Sequence, residues 1–151
     1  MKKAIALFLF LVLFSKSVAT ARPIEKACDY DYDLMAKTVY GEARGESFLG
    51  RKAIVDVIRN RMTSYRLTSK EVITRRGYNK ITKRYEYAFE GVNAKVKDKK
   101  LFETIRSEIT LYLNLDDITD GAKYFYSGSK KPYWTANRTY VKTIGQHHFY
   151  R

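Results

Sequence analysis

Two glycines four residues apart, Gly41 and Gly45, interrupt a helical periodicity that otherwise runs from residue 31 to residue 62. Each costs a helix interior roughly 1 kcal/mol relative to alanine, so the chain is expected to turn there and continue as two helices. Before the break, Leu34, Met35, Thr38 and Val39 recur at three- and four-residue steps, and Asp31 or Asp33 can cap the start. Gly45 suits the position just past a helix end. Beyond it, Ser47 can cap a second helix with apolar positions Leu49, Ala53, Ile54, Val57, Ile58 and Met62. Arg51, Lys52, Asp56, Arg59 and Asn60 fall on its other side, which predicts a solvent-facing stripe.

A third helix is predicted over residues 100–113, where Leu101, Phe102, Ile105, Ile109, Tyr112 and Leu113 form the apolar stripe. The intervening stretch, 63–99, is polar, basic and tyrosine-rich and reads as mixed loops with a short helix. Past Asp120-Gly121 the period changes. Residues 122–126 and 139–144 alternate or run β-branched and aromatic, as short strands do, and predict a small hairpin walling one side of a groove. With two prolines and no internal repeat, nothing marks a second domain. The expected fold is α+β, with three main helices and a short C-terminal β-hairpin.

The first 21 residues read as a signal peptide. Lys2 and Lys3 precede an apolar run of 11 residues, 4–14, and Ala19-Thr20-Ala21 has the small-x-small form of a cleavage site. That run is well short of the ~20 residues a spanning helix needs, so stable membrane insertion is not expected after cleavage. The predicted mature domain, residues 22–151, is 130 residues long. Removing Lys2, Lys3 and Lys16 leaves it +10 of the chain's +13. An exported cation of this kind meets anionic envelope polymers in the periplasm, the cell wall or outside the cell, and export argues against nucleic acid. Cys28 is the single cysteine, so no internal disulfide can form.

The chemistry is expected at residues 41–46, Gly-Glu-Ala-Arg-Gly-Glu. Paired acids flanking an arginine commonly form a solvated helix face. Here the bracketing glycines argue for more, because they place Glu42 in a last helical turn that can face a groove. Carbonyl dipoles at that end disfavour negative charge and would raise the pKa of its carboxyl, as a proton donor requires. Glu46 reads as a structural or substrate-orienting acid bonded to Arg44 or to backbone amides. Tyr126 and Trp134 have flat faces suited to pyranose rings. His147 and His148 are neighbours in a strand pattern, so they point to opposite faces and do not suit a shared metal; His147 is expected to support the groove.

Residues 38–47, Thr-Val-Tyr-Gly-Glu-Ala-Arg-Gly-Glu-Ser, with Gly50 and Ala53-Ile54-Val55-Asp56-Val57-Ile58-Arg59-Asn60-Arg61, resemble the SleB-type cell wall hydrolases, the family of the spore-cortex-lytic enzymes. The likeness resumes at Gly121-Ala122-Lys123-Tyr124-Phe125-Tyr126, Pro132-Tyr133-Trp134 and residues 143–150, Thr-Ile-Gly-Gln-His-His-Phe-Tyr. Residues 63–99 depart from the family's usual pattern and are more basic. The resemblance implies a small lysozyme-like domain that cleaves peptidoglycan glycan strands without a cofactor, with the catalytic acid on Glu42. Several such enzymes are lytic transglycosylases, in which one glutamate suffices and the product is a 1,6-anhydro sugar. Glu46 keeps hydrolysis by two carboxylates open, and a non-catalytic cationic module that binds the envelope is the alternative in another class.

Overall fold

The structure is a computed structural model in which residues 30–151 are described. The expected signal peptide, residues 1–21, and Cys28 lie outside them. Helix α1, Tyr32–Ala43, begins on Asp31, whose Oδ1 accepts the Leu34 N–H at 3.0 Å. After Arg44 the chain turns as expected and restarts at Ser47, whose Oγ accepts the Gly50 N–H at 3.3 Å and opens α2, Phe48–Tyr65. Gly45 does not use glycine's left-handed freedom in that turn. The glycines at positive φ are Gly121, Gly128 and Gly145, and a Cβ built on Gly45 would meet nothing within 4 Å.

Residues 63–99 are more ordered than their composition predicts. Thr68 and Glu71 form a reciprocal capping box that starts the short α3, Ser69–Thr74. An antiparallel hairpin follows, β1 Arg76–Asn79 and β2 Arg84–Tyr87, with Tyr78 paired to Tyr85. A 3-10 turn, Glu90–Asn93, then leads to α4, Lys99–Asn114, capped by Asp98. The hairpin escaped the sequence reading because its strands are four residues each and show no apolar alternation.

The C-terminal strands are β3 Tyr124–Ser127, β4 Tyr140–Ile144 and β5 His147–Tyr150, in the antiparallel order β3-β5-β4. The C-terminal hairpin is therefore β4–β5, closed through Gly145 at φ +59°, and the two segments expected to pair with each other flank β5 instead. Phe149 of β5 is fully buried together with Met35 and Val39 of α1, Ile54 and Ile58 of α2, and Ile105 and Ile109 of α4. Each such side chain contributes roughly 1.5–3 kcal/mol by leaving water.

Helix α2 is enclosed on nearly all sides: every residue from Lys52 to Ile58 is buried. This corrects the expected polar stripe. Lys52 and Asp56 are fully buried as an ion pair on successive turns, and Asp56 Oδ2 also accepts the Ile118 N–H at 3.0 Å. Asn60 is likewise an anchor, donating to Asp117 Oδ2, Thr119 Oγ1 and the Ala122 carbonyl at 3.0–3.2 Å. Leu49, expected inside, is 54% exposed, because it lies in the first turn ahead of the enclosed segment.

Helix α1 meets the 3-10 turn at backbone contact. A Cβ on Gly41 would lie 2.3 Å from Gly91 Cα, and a Cβ on Gly91 would lie 2.5 Å from the Thr38 carbonyl oxygen and 2.8 Å from Glu42 N. The Tyr40 hydroxyl holds the next segment, accepting the N–H groups of Lys97 and Asp98 at 3.2 and 3.0 Å.

Two outcomes follow for stability. Asp56→Ala strands a buried ammonium and frees the Ile118 N–H, so urea unfolding should show a loss of roughly 3–5 kcal/mol. Gly91→Ala must push the 3-10 turn off α1, lowering stability by about 1–3 kcal/mol; an unchanged unfolding midpoint would show that the contact yields without cost.

Candidate active site

Glu42 occupies the last turn of α1, where Gly41 brings the turn bearing Gly91 against the helix. Its Oε1 accepts the Gly91 N–H at 2.7 Å. The same two glycines that make the contact thus aim an amide at the acid. The side chain is half-buried, and burial pushes its carboxyl above the ordinary glutamate range. The Gly91 amide pulls the other way, the Glu90 charge adds to the rise and Arg61 opposes it. The direction agrees with the expectation from the helix end, but the leading cause is desolvation.

Arg61, one turn before the end of α2, is the cation nearest in effect to Glu42. Its Nε donates to the Lys123 carbonyl at 2.6 Å, and its guanidinium lies 4.6 Å from the centre of the Phe89 ring and 5.7 Å from that of Tyr124. It also lines a cleft of about 500 Å³ between the β1–β2 hairpin and the start of the C-terminal sheet. Glu42 is not one of that cleft's lining residues. Arg61 connects the two, facing the cleft while within electrostatic reach of the acid.

Glu46 is placed differently from Glu42. Its Oε1 accepts the Gln146 N–H at 3.2 Å and stands 3.6 Å from His147 Nδ1. A Cβ on Gly145 would fall 1.9 Å from its Oε2, so the glycine at the β4–β5 turn makes room for this carboxylate. The Glu46 carbonyl accepts Arg51 Nη1 at 2.8 Å, and Arg51 is in turn paired with Glu108 of α4. Glu46 therefore fastens the α1–α2 turn to the C-terminal hairpin through the Gln146 amide. Arg44 takes no part in this; its guanidinium lies 5.8 Å from the Tyr40 ring centre.

His147 is 3% exposed, and its Nδ1 has no hydrogen-bond partner. Burial lowers its pKa despite the nearby Glu46 charge. It packs edge-on against Phe125, at 5.3 Å between ring centres, behind its contact with Glu46. Trp134 lines the cleft, while Tyr126 stacks behind it against Trp134, His148 and Tyr150. Tyr124, two residues earlier on β3, takes the cleft position. Gly91, Arg61 and the hairpin residues Arg76 and Tyr78 were missed by the sequence reading. Alternation along β3 pointed to Tyr124 as readily as to Tyr126, and the others carry no local signal.

A family model described as Cell Wall Hydrolase matches residues 45–150, starting just past Glu42. Among curated proteins, the spore cortex-lytic enzyme of Halalkalibacterium halodurans is 32% identical over 126 residues, covering 80% of this chain and 34% of that enzyme. The spore cortex-lytic enzyme of Bacillus cereus is 31% identical over 125 residues, 79% of this chain and 43% of its own length. The chain thus spans well under half the length of these relatives. Among solved structures, the catalytic domain of the germination-specific lytic transglycosylase SleB from Bacillus anthracis superposes with a TM-score of 0.62 at 29% identity, over 80% of this chain and 93% of that domain. The catalytic domain of Bacillus cereus SleB gives 0.58 at 28% identity, over 84% and 91%. With the family model spanning residues 45–150, the chain belongs to the cell wall hydrolase family.

Proposed function

We propose that this protein cleaves the glycosidic bond between N-acetylmuramic acid and N-acetylglucosamine in peptidoglycan, as a lytic transglycosylase with Glu42 as its catalytic acid and base. The observation that carries the reading is Glu42 itself: a half-buried carboxyl, raised in pKa by desolvation, with Oε1 fixed by a backbone amide. With that amide on Oε1, the acid's proton resides on Oε2. Transfer to the glycosidic oxygen releases the leaving sugar and generates an oxocarbenium-like muramyl centre. The muramyl C6 hydroxyl then attacks its own C1 while the Glu42 carboxylate takes the hydroxyl proton. The cycle regenerates the acid, consumes no water and leaves a 1,6-anhydro end. Because the nucleophile is tethered to the reacting sugar, proximity does the work of a second carboxylate. Glu46, tied to Gln146 N–H and set against His147, supports the framework of this reaction in place of a nucleophile's role.

Residues 1–21 fit a secretory signal, and residues 22–151 the exported catalytic domain acting in the periplasm or cell wall. The mature chain's positive charge suits anionic envelope polymers and draws the protein to its insoluble substrate.

The decisive variant is Glu42→Gln. Incubated with purified sacculi, it should release soluble muropeptides at least 1,000-fold more slowly than the wild type, while still binding them, and mass spectrometry of wild-type products should show the loss of one water. Undiminished release would refute the assignment, and products with reducing ends would replace transglycosylation by hydrolysis. The variant should also be at least as stable as the wild type at pH 7. A carboxyl raised in the folded state stabilises fully only below its unfolded pKa, and this contribution is lost as pH rises through the folded value.

Turnover should fall as pH rises through the elevated Glu42 pKa, because the free enzyme needs the protonated acid. Glu90→Gln removes an exposed charge that raises this pKa, so the alkaline limb of the kcat/KM profile should move to lower pH. An unmoved limb would mean that another group sets it.

A further inference from the structure

The β1–β2 hairpin has little reason to exist as a folding element. An isolated two-stranded hairpin is marginal in water, and both strands here are largely exposed, with Tyr78 53% and Tyr85 64% accessible. What it does is complete the cleft. Three guanidiniums, Arg61, Arg75 and Arg76, line that space, against one acid, Glu86. Glu86 is already committed to the hairpin, accepting Asn79 Nδ2 at 2.7 Å and Thr82 Oγ1 at 2.6 Å, and these donors hold its carboxyl below the ordinary range.

No described carboxylate forms an ion pair with any of the three arginines. Aromatic faces hold them in place instead: Arg61 over Phe89, Arg75 5.4 Å from the Tyr65 ring centre and Arg76 5.0 Å from that of Tyr87. Arg61 and Arg76 each give one hydrogen bond to a carbonyl, on Lys123 and Tyr85, of the five N–H donors a guanidinium offers. Stacked guanidiniums with unspent N–H donors, in a cleft with Trp134 on its wall, suit a planar anion attached to a sugar. Planar forks match a carboxylate with two parallel hydrogen bonds.

We infer that this cleft seats a free carboxylate carried on the lactyl substituent of the muramyl residue, so that the enzyme selects glycan strands on which that substituent ends in an unblocked carboxylate. The inference rests on the peptidoglycan reading above. The carboxylate has two possible sources, the lactyl group of a bare muramyl residue or the acidic groups of an attached peptide. In either case Arg61 ties recognition to catalysis, since it faces the cleft and acts electrostatically on Glu42.

The test uses Glu42→Gln protein, which holds strands without cutting them, and the fluorescence of Trp134, the sole tryptophan. Soluble glycan strands are prepared with their peptides, stripped to the lactyl carboxylate by an amidase, and in methyl-esterified versions of both. Esterification should weaken binding at least tenfold. Adding Arg75→Gln and Arg76→Gln, two exposed positions, should bring the esterified-to-free ratio close to one. Tighter binding of peptide-bearing strands assigns the carboxylate to the peptide, and equal binding of the stripped strands assigns it to the lactyl group.

Strands that bind equally with and without esterification, or a ratio that survives the arginine substitutions, overturn the inference and leave the proposed reaction standing. Failure of every strand to bind would sink the peptidoglycan reading itself. A single-stranded oligonucleotide binding more tightly than the free-carboxylate strands would show the cleft to be a nucleic-acid site and refute the inference.

Discussion

Everything at this site depends on two backbones touching. Gly41 on α1 and Gly91 in the 3-10 turn approach so closely that a Cβ on either would penetrate the other segment. The contact sets the position of the Gly91 N–H relative to Glu42, 2.7 Å from Oε1. It also brings Glu90 and Phe89 to the acid's surroundings, the first raising its pKa and the second supporting Arg61. Side chains could not hold this arrangement as tightly, because rotamers relax and a backbone pinned between a helix and its neighbour does not.

The environment built around that contact separates two carboxylates only four residues apart. Glu42 is desolvated, which favours keeping its proton against the pull of the Gly91 amide and of Arg61. Glu46 is spent on the β4–β5 turn, where the space left by Gly145 and the Gln146 amide receive it. Two glycines therefore create the acid's setting and a third creates the tether's. The buried Lys52–Asp56 pair and Asn60 do comparable work at the other end of α2, binding residues 117–122 so that β3 starts in register with the helix. Arg61, immediately beyond, inherits its direction from that anchoring.

The helices were legible because their signals are local. Asp31 and Ser47 cap as their side chains allow, and the apolar stripes of α1 and α4 face inward. What misled was the assumption that polar residues opposite an apolar stripe meet water. In α2 they meet the C-terminal segments, so Lys52, Asp56 and Asn60 are the polar contents of a helix buried on both sides. The turn at Glu42 was legible from its bracketing glycines, although the reason differs: Gly41 is there for close approach, and Gly45 is neither at positive φ nor crowded. The partner of that approach, Gly91, lies 49 residues away and is silent in sequence. The β1–β2 hairpin was equally silent, since exposed strands need no apolar alternation.

The resulting molecule divides its tasks along the chain. Residues 32–62 and 99–114 form the rigid body, and the acid sits on its most constrained point. The two sheets add surface more than core: β1 and β2 are nearly all rim, and only β5 of the C-terminal sheet is deeply buried. Such rims can change composition at little cost to stability, because exposed substitutions usually matter by a few tenths of a kcal/mol. The hydrogen bond to the acid has no such freedom, because it comes from a backbone amide held by the Gly41–Gly91 contact. A basic, tyrosine-rich hairpin can therefore be added beside an unchanged Glu42, altering the cleft without altering the amide that fixes the carboxyl. Arg61 is the point where the two must agree, being part of the cleft wall on one side and part of Glu42's field on the other.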